Sequence, residues 1–83
     1  MGKRIRNRVL FLLTEKERQE KRRIKRTELM RALNVAPNTV VSWLQDDVRK
    51  FEDHVVIGWC EYFGCKLEEL IYIGDEDEDT PAT

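Results

Sequence analysis

Residues 24–45 read I-K-R-T-E-L-M-R-A-L-N-V-A-P-N-T-V-V-S-W-L-Q, and the spacing of apolar residues in this stretch decides the fold. Leu29 and Leu33 are four residues apart, which places both on one face of a helix. Val40 and Trp43 are three residues apart, which fits a second short helix that packs into the same core. The stretch therefore predicts two short helices that share one hydrophobic core.

The segment between these two helices predicts a tight turn. Asn34 lies there, and asparagine tolerates the left-handed backbone conformation that such a turn needs. Pro37 suits the first position of the second helix, where no backbone donor is required. Two short helices joined in this way form a helix-turn-helix, a unit that places its second helix in the major groove of DNA.

The same stretch resembles the helix-turn-helix of the Xre family, the Cro/repressor-type DNA-binding domains of phage repressors and small bacterial regulators. The resemblance covers roughly residues 5–73 without a gap, and it includes the segments F-E-D at 51–53 and C-E-Y-F-G-C at 60–65. It implies an all-α fold, a five-helix Cro/repressor-type helix-turn-helix bundle in residues 1–73. It also implies a bacterial or phage-encoded regulator of transcription, in the cytoplasm and on the nucleoid when bound, that acts as a repressor.

The pattern of the first segment allows two interpretations. Ile5 and Val9 fall on one helical face, which predicts a helix from residue 4 to about residue 20. Apolar residues also alternate between Ile5 and Leu13, so a strand followed by a separate helix from Thr14 is the alternative. We favour one long helix, because the sequence offers no obvious partner for a lone strand. Residues 14–23 could extend this helix or form a basic loop.

The remaining elements follow from apolar spacing and from residues that end helices. A fourth helix should bury Val55 and Trp59 and end at Gly64 in a left-handed cap. A fifth should bury Leu67 and Leu70. Residues 74–83, G-D-E-D-E-D-T-P-A-T, predict a disordered acidic tail that mainly aids solubility. The predicted helices after the first are 27–33, 37–45, 53–63 and 67–72.

The charge is distributed unevenly along the chain. Residues 1–31 contain twelve Lys or Arg against four Glu, a net charge of +8, whereas residues 32–83 carry a net charge of −9. This asymmetry suggests a basic surface for nucleic acid, although ion pairs within one helix could also use these charges. The chain has no apolar run of the roughly 20 residues that span a membrane, and no signal peptide is expected.

The outward face of the predicted helix 37–45 is the candidate for contacts with DNA bases. Asn38 and Gln45 each carry a donor and an acceptor that can grip adenine, and Val41 can contact a thymine methyl group. No Arg or Lys lies on this face, so we expect modest or A·T-leaning specificity. The candidate base contacts are Pro37, Asn38, Thr39, Val41, Ser42 and Gln45.

Basic residues around the two helices are candidates for phosphate contacts, which position a protein on the duplex without reading its sequence. Arg26 would open the second helix, where backbone amides also favour an anion. The candidate phosphate contacts are Arg22, Arg23, Lys25, Arg26, Arg49 and Lys50.

Two further expectations concern partners and chemistry. Phe11 and Ile57 lie off the inward faces of their predicted helices, and Tyr72 and Ile73 add apolar area beside the tail. These four residues are candidates for a homodimer interface or a protein partner's site. A chain of 83 residues buries only about 60–65% of its unfolded surface, and dimerisation would add stability. Cys60, Cys65 and His54 do not have the spacing of a zinc site, so we expect no metal and no cofactor. No nucleophile and base pair is evident, and we expect no enzyme.

Overall fold

The computed structural model describes residues 2–76, in which five helices surround one core and two terminal strands pair with each other. The predicted helix count is right, but the fold is not strictly all-α, because a two-stranded antiparallel sheet joins the ends of the chain. The elements are β1 (Lys3–Asn7), α1 (Val9–Glu20), α2 (Arg26–Leu33), α3 (Pro37–Leu44), α4 (Asp53–Phe63), α5 (Leu67–Leu70) and β2 (Ile71–Asp75).

The helix-turn-helix is present as predicted. Asn34 ends α2 in the left-handed conformation, with φ 57° and ψ 53°. The amide of Val35 donates to the carbonyl oxygen of Met30 at 3.1 Å, which satisfies one of the last carbonyl groups of α2. Pro37 opens α3, because its fixed φ suits a first helical turn and its missing N–H costs nothing there.

The core lies where α3 and α4 cross the other helices. Trp43 of α3 packs against Trp59 of α4 with ring centroids 6.1 Å apart, and Phe51 meets Trp43 edge-on at 5.6 Å. Both tryptophans are buried, together with the other three apolar residues of the helix-turn-helix pattern, Leu29, Leu33 and Val40. The buried core residues are Val9, Leu13, Ile24, Leu29, Leu33, Val40, Trp43, Val48, Val55, Trp59 and Leu70.

The first element is a strand, so the prediction of one long helix from residue 4 to residue 20 is wrong. β1 pairs with β2 in antiparallel register, and Ile5 lies opposite Ile73. Ile5 is not in the core but is 39% exposed on the outer face of the sheet. The partner strand is formed by the other end of the chain, and local apolar spacing does not show such a distant pairing.

Asn7 marks the change from strand to helix. Its side-chain Oδ1 accepts a hydrogen bond from the amide of Val9 at 2.9 Å, a local turn that competes with continued strand or helix. α1 then continues to Glu20 and ends where Lys21 takes the left-handed conformation. Residues 14–20 are therefore helical and residues 21–25 connect α1 to α2.

The C-terminal elements also differ from the prediction. α5 ends at Leu70, two residues earlier than expected, and Leu67 is half exposed instead of buried. Gly74 and Asp75 belong to β2, and the amide of Glu76 donates to the carbonyl oxygen of Gly2 at 2.9 Å. The remainder of the predicted acidic tail, residues 77–83, lies outside the described residues. None of the helices within residues 2–76 has the length and apolar character needed to cross a membrane.

Candidate nucleic-acid interface

α3 turns one face to the core and the other to solvent. Val40 and Trp43 are buried, whereas Pro37, Asn38 and Gln45 are exposed. Thr39, Val41 and Ser42 are half-buried beside them, so the six predicted base-contacting residues do lie together. Gln45 is the residue just after α3 and not its last member, because its backbone already leaves the helical conformation at φ −90° and ψ 1°.

The two amide side chains of this face are available for a ligand. Neither Asn38 nor Gln45 makes a side-chain hydrogen bond within residues 2–76. Thr39 and Ser42 line a groove of about 210 Å³ that Arg49 and Lys50 also line. The structure therefore brings hydrogen-bonding groups of α3 next to two of the predicted phosphate-contacting residues.

A second basic group surrounds the beginning of α2. Arg26 is its first residue, Lys25 precedes it in an extended conformation, and both side chains are exposed. Neither they nor Arg23 form an ion pair in the part of the chain that the structure describes. The first amides of a helix lack intrahelical partners and attract anions, as do the cations that precede and open α2.

Arg22 differs from its neighbours because it is already engaged. Its Nη1 and Nη2 donate to the two carboxylate oxygens of Glu28 at 2.9 and 2.7 Å, and its Nε donates to Glu20 at 3.0 Å. These hydrogen bonds hold the pKa of the Glu28 carboxyl below its ordinary value. A phosphate contact by Arg22 would have to displace Glu28, which the sequence did not indicate.

Arg49 and Lys50 complete the basic surroundings of α3. The Arg49 guanidinium lies 3.9 Å from the carboxylates of Asp47 and Glu76, and these are long, exposed pairs. Lys50 is exposed and makes no ion pair within residues 2–76. Arg49 can therefore exchange its pairs for a phosphate with little loss, because exposed pairs contribute at most about 1 kcal/mol, and Lys50 has no pair within residues 2–76 to give up.

The sequence profile of the Cro/C1-type HTH DNA-binding domain matches residues 16–76 of the chain. The protein belongs to this family. The match confirms the predicted Xre-type resemblance and covers α2 through β2 with the second half of α1. No curated protein and no solved structure matched the chain.

The Cro/C1-type domain also exposes apolar residues away from α3. Ile5, Ile57, Leu67 and Ile73 are each at least 39% exposed, and we call them the apolar surface. Ile57 lines a groove of about 430 Å³ between α4 and α5, and Ile5 and Ile73 line a second groove of about 240 Å³ over the sheet. Leu67 lines both grooves, so the apolar surface is continuous.

The predicted partner residues are only partly brought together. Ile57 and Ile73 belong to the apolar surface, and Tyr72 lines the groove over the sheet. One face of the Tyr72 ring is covered by the Arg8 guanidinium, 4.2 Å from the ring centroid. Phe11 is exposed on α1 but lines neither groove. Ile5 and Leu67 were not among the predicted partner residues, because apolar spacing places both on the inward faces of helices.

The cysteines of the domain lie beside the apolar surface. Cys60 and Cys65 are free and half-buried, and burial raises the pKa of the Cys65 thiol to about 11. A thiol with this pKa stays protonated at neutral pH, which makes it a poor nucleophile. Within residues 2–76, no three His, Cys, Asp or Glu side chains are grouped closely enough to hold a metal ion.

Proposed function

We propose that the chain is a sequence-specific, double-stranded DNA-binding regulator of transcription, and that it acts as a repressor by occupying its site. The observation that carries this proposal is the outward face of α3 in a Cro/C1-type domain, with unpaired Asn38 and Gln45 side chains. In this proposal α3 enters the major groove, and the protein works in the cytoplasm on the nucleoid.

The chemistry of α3 favours A·T base pairs. Asn38 and Gln45 can each accept and donate to adenine, and a good pair of such bonds discriminates by about 1–3 kcal/mol. Val41 offers a methyl group to thymine, while Thr39 and Ser42 can bond bases or phosphates. Because no Arg or Lys lies on the face, the strong bidentate contact with guanine is missing.

Phosphate contacts would hold the protein on the duplex. Five basic side chains could take this role, because none of them has a strong ion pair within residues 2–76. Each phosphate that they neutralise should steepen the slope of log affinity against log salt concentration by about 0.9. Arg22 could join them after exchanging Glu28 for a phosphate. The five residues are Arg23, Lys25, Arg26, Arg49 and Lys50.

A homodimer would read two half-sites about one helical turn apart. The apolar surface supports this part of the proposal, because exposed apolar grooves of this kind commonly mark interfaces. Equilibrium sedimentation of the wild type and of Ile57→Asp tests it. We expect a dimer that dissociates in the variant, and a wild-type monomer with and without DNA would contradict it.

Selection from a random pool of double-stranded DNA, followed by sequencing, tests the proposed function. The wild type is compared with Asn38→Ala, Gln45→Ala as a double variant, and with Gln19→Ala as the control for an exposed amide on α1. We expect the wild type and the control to enrich the same A·T-leaning palindromic motif, which the double variant loses. No enrichment, or equal enrichment by all three proteins, would contradict sequence reading by α3.

A second candidate function is a protein-interaction module, such as an antitoxin or an adaptor of a mobile element. The continuous apolar surface favours it, because a protein partner could cover that surface instead of a second copy. Retention on heparin discriminates between the two functions. A DNA-binding protein should elute at high salt, and Arg26→Ala with Lys50→Ala should elute earlier, whereas a pure interaction module should not be retained.

A further inference from the structure

Asp46 follows the end of α3 in the left-handed backbone conformation, which costs any residue with a Cβ more than it costs glycine. Its φ is 59°, in the left-handed region where helices usually place glycine or asparagine. Its amide donates to the carbonyl oxygen of Trp43 at 3.2 Å. The amide of Asp47 donates to the carbonyl oxygen of Ser42 at 2.9 Å. This is the Schellman pattern of a helix end, with an aspartate at the position that glycine would occupy at lower cost.

The carboxylate of Asp46 explains why an aspartate stands there. Arg6 Nε donates to its Oδ2 at 2.8 Å, and the Asn7 amide and Asn7 Nδ2 donate to its Oδ1 at 3.0 and 3.3 Å. Arg4 Nη2 donates to the Asp46 carbonyl oxygen at 2.7 Å. We call Asp46 with Arg4, Arg6 and Asn7 the Asp46 clamp. It joins the end of α3 to β1, which is 39–42 residues away in sequence.

The ion pairs of the Asp46 clamp are more shielded from solvent than the other ion pairs within residues 2–76. The exposed fractions of the Arg6, Arg4 and Asp46 side chains are 12%, 18% and 22%, whereas those of Lys3 and Asp75 exceed 60%. Charge-assisted bonds of this kind hold their geometry better when water is partly excluded. These hydrogen bonds pair both carboxylate oxygens and the backbone carbonyl oxygen of Asp46. Both the side chain and the backbone of Asp46 are therefore held against β1.

We propose that Asp46 is a positioning residue for DNA reading, because it fixes the last turn of α3 against the terminal sheet. Gln45, a predicted base-contacting residue, immediately precedes it and has an exposed side chain. A site that reads bases needs its side chains held to within a fraction of an ångström, which a frayed helix end cannot provide. This role in specificity rests on the proposed function, whereas the immobilisation of α3 does not.

Amide hydrogen exchange tests the immobilisation without any DNA. Asp46→Asn keeps a side chain that tolerates φ 59° but removes the charge. Asp46→Gly removes the three hydrogen bonds to the carboxylate and relieves the backbone cost, while it leaves the Arg4 bond to the carbonyl oxygen in place. We expect both variants to speed exchange at residues 43–47 by at least about tenfold relative to α4. Asp47→Asn and Asp47→Gly are the controls, because the Asp47 side chain is exposed and carries the same charge.

The glycine variant separates the clamp from a simple helix cap. If Asp46 only ended the helix, Asp46→Gly would slow exchange in α3 or leave it unchanged, and the proposal would be overturned. Arg4→Gln attacks the same clamp from β1 and should reproduce the faster exchange at residues 43–47, even if an Asp46 variant folds poorly. Unchanged exchange in Arg4→Gln and both Asp46 variants would equally reject the proposal.

The specificity ratio tests the consequence for DNA. It is the affinity for the selected site divided by the affinity for a scrambled duplex, at one salt concentration and a temperature where circular dichroism shows every variant folded. We expect Asp46→Asn to lower the ratio at least fivefold without weakening binding to scrambled DNA, and Asp47→Asn to keep the ratio. A ratio unchanged by Asp46→Asn would overturn the positioning role.

If the wild type showed no preference for any duplex, the proposed function and the role of Asp46 in specificity would both fail. The exchange data would still decide whether Asp46 immobilises the end of α3.

Discussion

The helix-turn-helix and the terminal sheet of this domain depend on different ranges of sequence. α2 and α3 are specified within about 20 residues by apolar spacing and one turn residue. β1 and β2 are five residues each and come together from the two ends of the chain, with Lys3 opposite Asp75. The helix-turn-helix is thus specified by local patterns, whereas the contacts between β1 and the end of α3 exist only in the complete fold.

The largest expected effect is in the core beneath the helix-turn-helix. Trp43→Ala should lower the free energy of unfolding by about 3–5 kcal/mol, because a buried tryptophan that packs on Trp59 is replaced by a cavity. Ile73→Ala on the outer face of the sheet should cost less than about 1 kcal/mol, because Ile73 is 74% exposed. Urea denaturation measures both. Similar costs would contradict the view that the core lies under α3 and not under the sheet.

The sheet has its own sensitive position at Gly74. A Cβ added there would lie 2.9 Å from Arg6 Cδ and 3.1 Å from Tyr72 Cε2. Gly74→Val should therefore displace Arg6 and lower the free energy of unfolding by about 1–3 kcal/mol. Amide exchange should increase in β1 and β2 more than in α2, with Ile73→Val as the control that leaves the sheet intact. A variant as stable as wild type would show that this contact relaxes freely.

The turn between α2 and α3 should show a smaller, purely local effect. Asn34→Ala should destabilise the domain by about 1 kcal/mol, because alanine has no means of offsetting a left-handed conformation. Asn34→Gly should be nearly neutral, because glycine adopts φ 57° without a Cβ penalty. Thermal unfolding followed by circular dichroism compares the two. Equal effects would mean that the Asn34 side chain, and not its backbone, matters.

The smallest expected effect concerns the ion pair between Arg22 and Glu28, which lies beside the helix-turn-helix. Glu28→Gln should release Arg22 and raise the affinity for a scrambled duplex a few-fold, with a salt slope steeper by about 0.9 for one added phosphate contact. Glu15→Gln is the matched control, because Glu15 pairs with the exposed Arg18 of α1. Binding titrations over a series of salt concentrations measure both slopes. An identical gain in the control would mean that only net charge changed.

Much of the helix-turn-helix could be predicted because its information is local. Leu29, Leu33, Val40 and Trp43 were placed in the core from their spacing, and the turn at Asn34 followed from its residue type. The limits of α2 and α3 agree with the predictions to within one residue. These elements depend on contacts between near neighbours in sequence, and such contacts leave a period in the sequence.

The terminal sheet could not be predicted in the same way. Ile5 fits a helical face with Val9 and an alternating strand pattern equally well, and only the partner at residues 71–75 decides between them. The exposure of Leu67 has the same cause. The chain enters β2 directly after Leu70, which leaves the Leu67 side chain outside the core. Arg4 and Arg6 appeared as part of the basic half of the chain, whereas in the fold they bind Asp46.

We propose that DNA contacts α3 and not the terminal sheet. We would measure backbone amide chemical shifts in ¹H–¹⁵N spectra of the chain while adding a short A·T-rich duplex. We expect the largest changes in amide chemical shift at residues 37–47 and at the start of α2, and only small changes in β1 and β2. Largest changes in the sheet or in α4 and α5, with α3 unaffected, would contradict it.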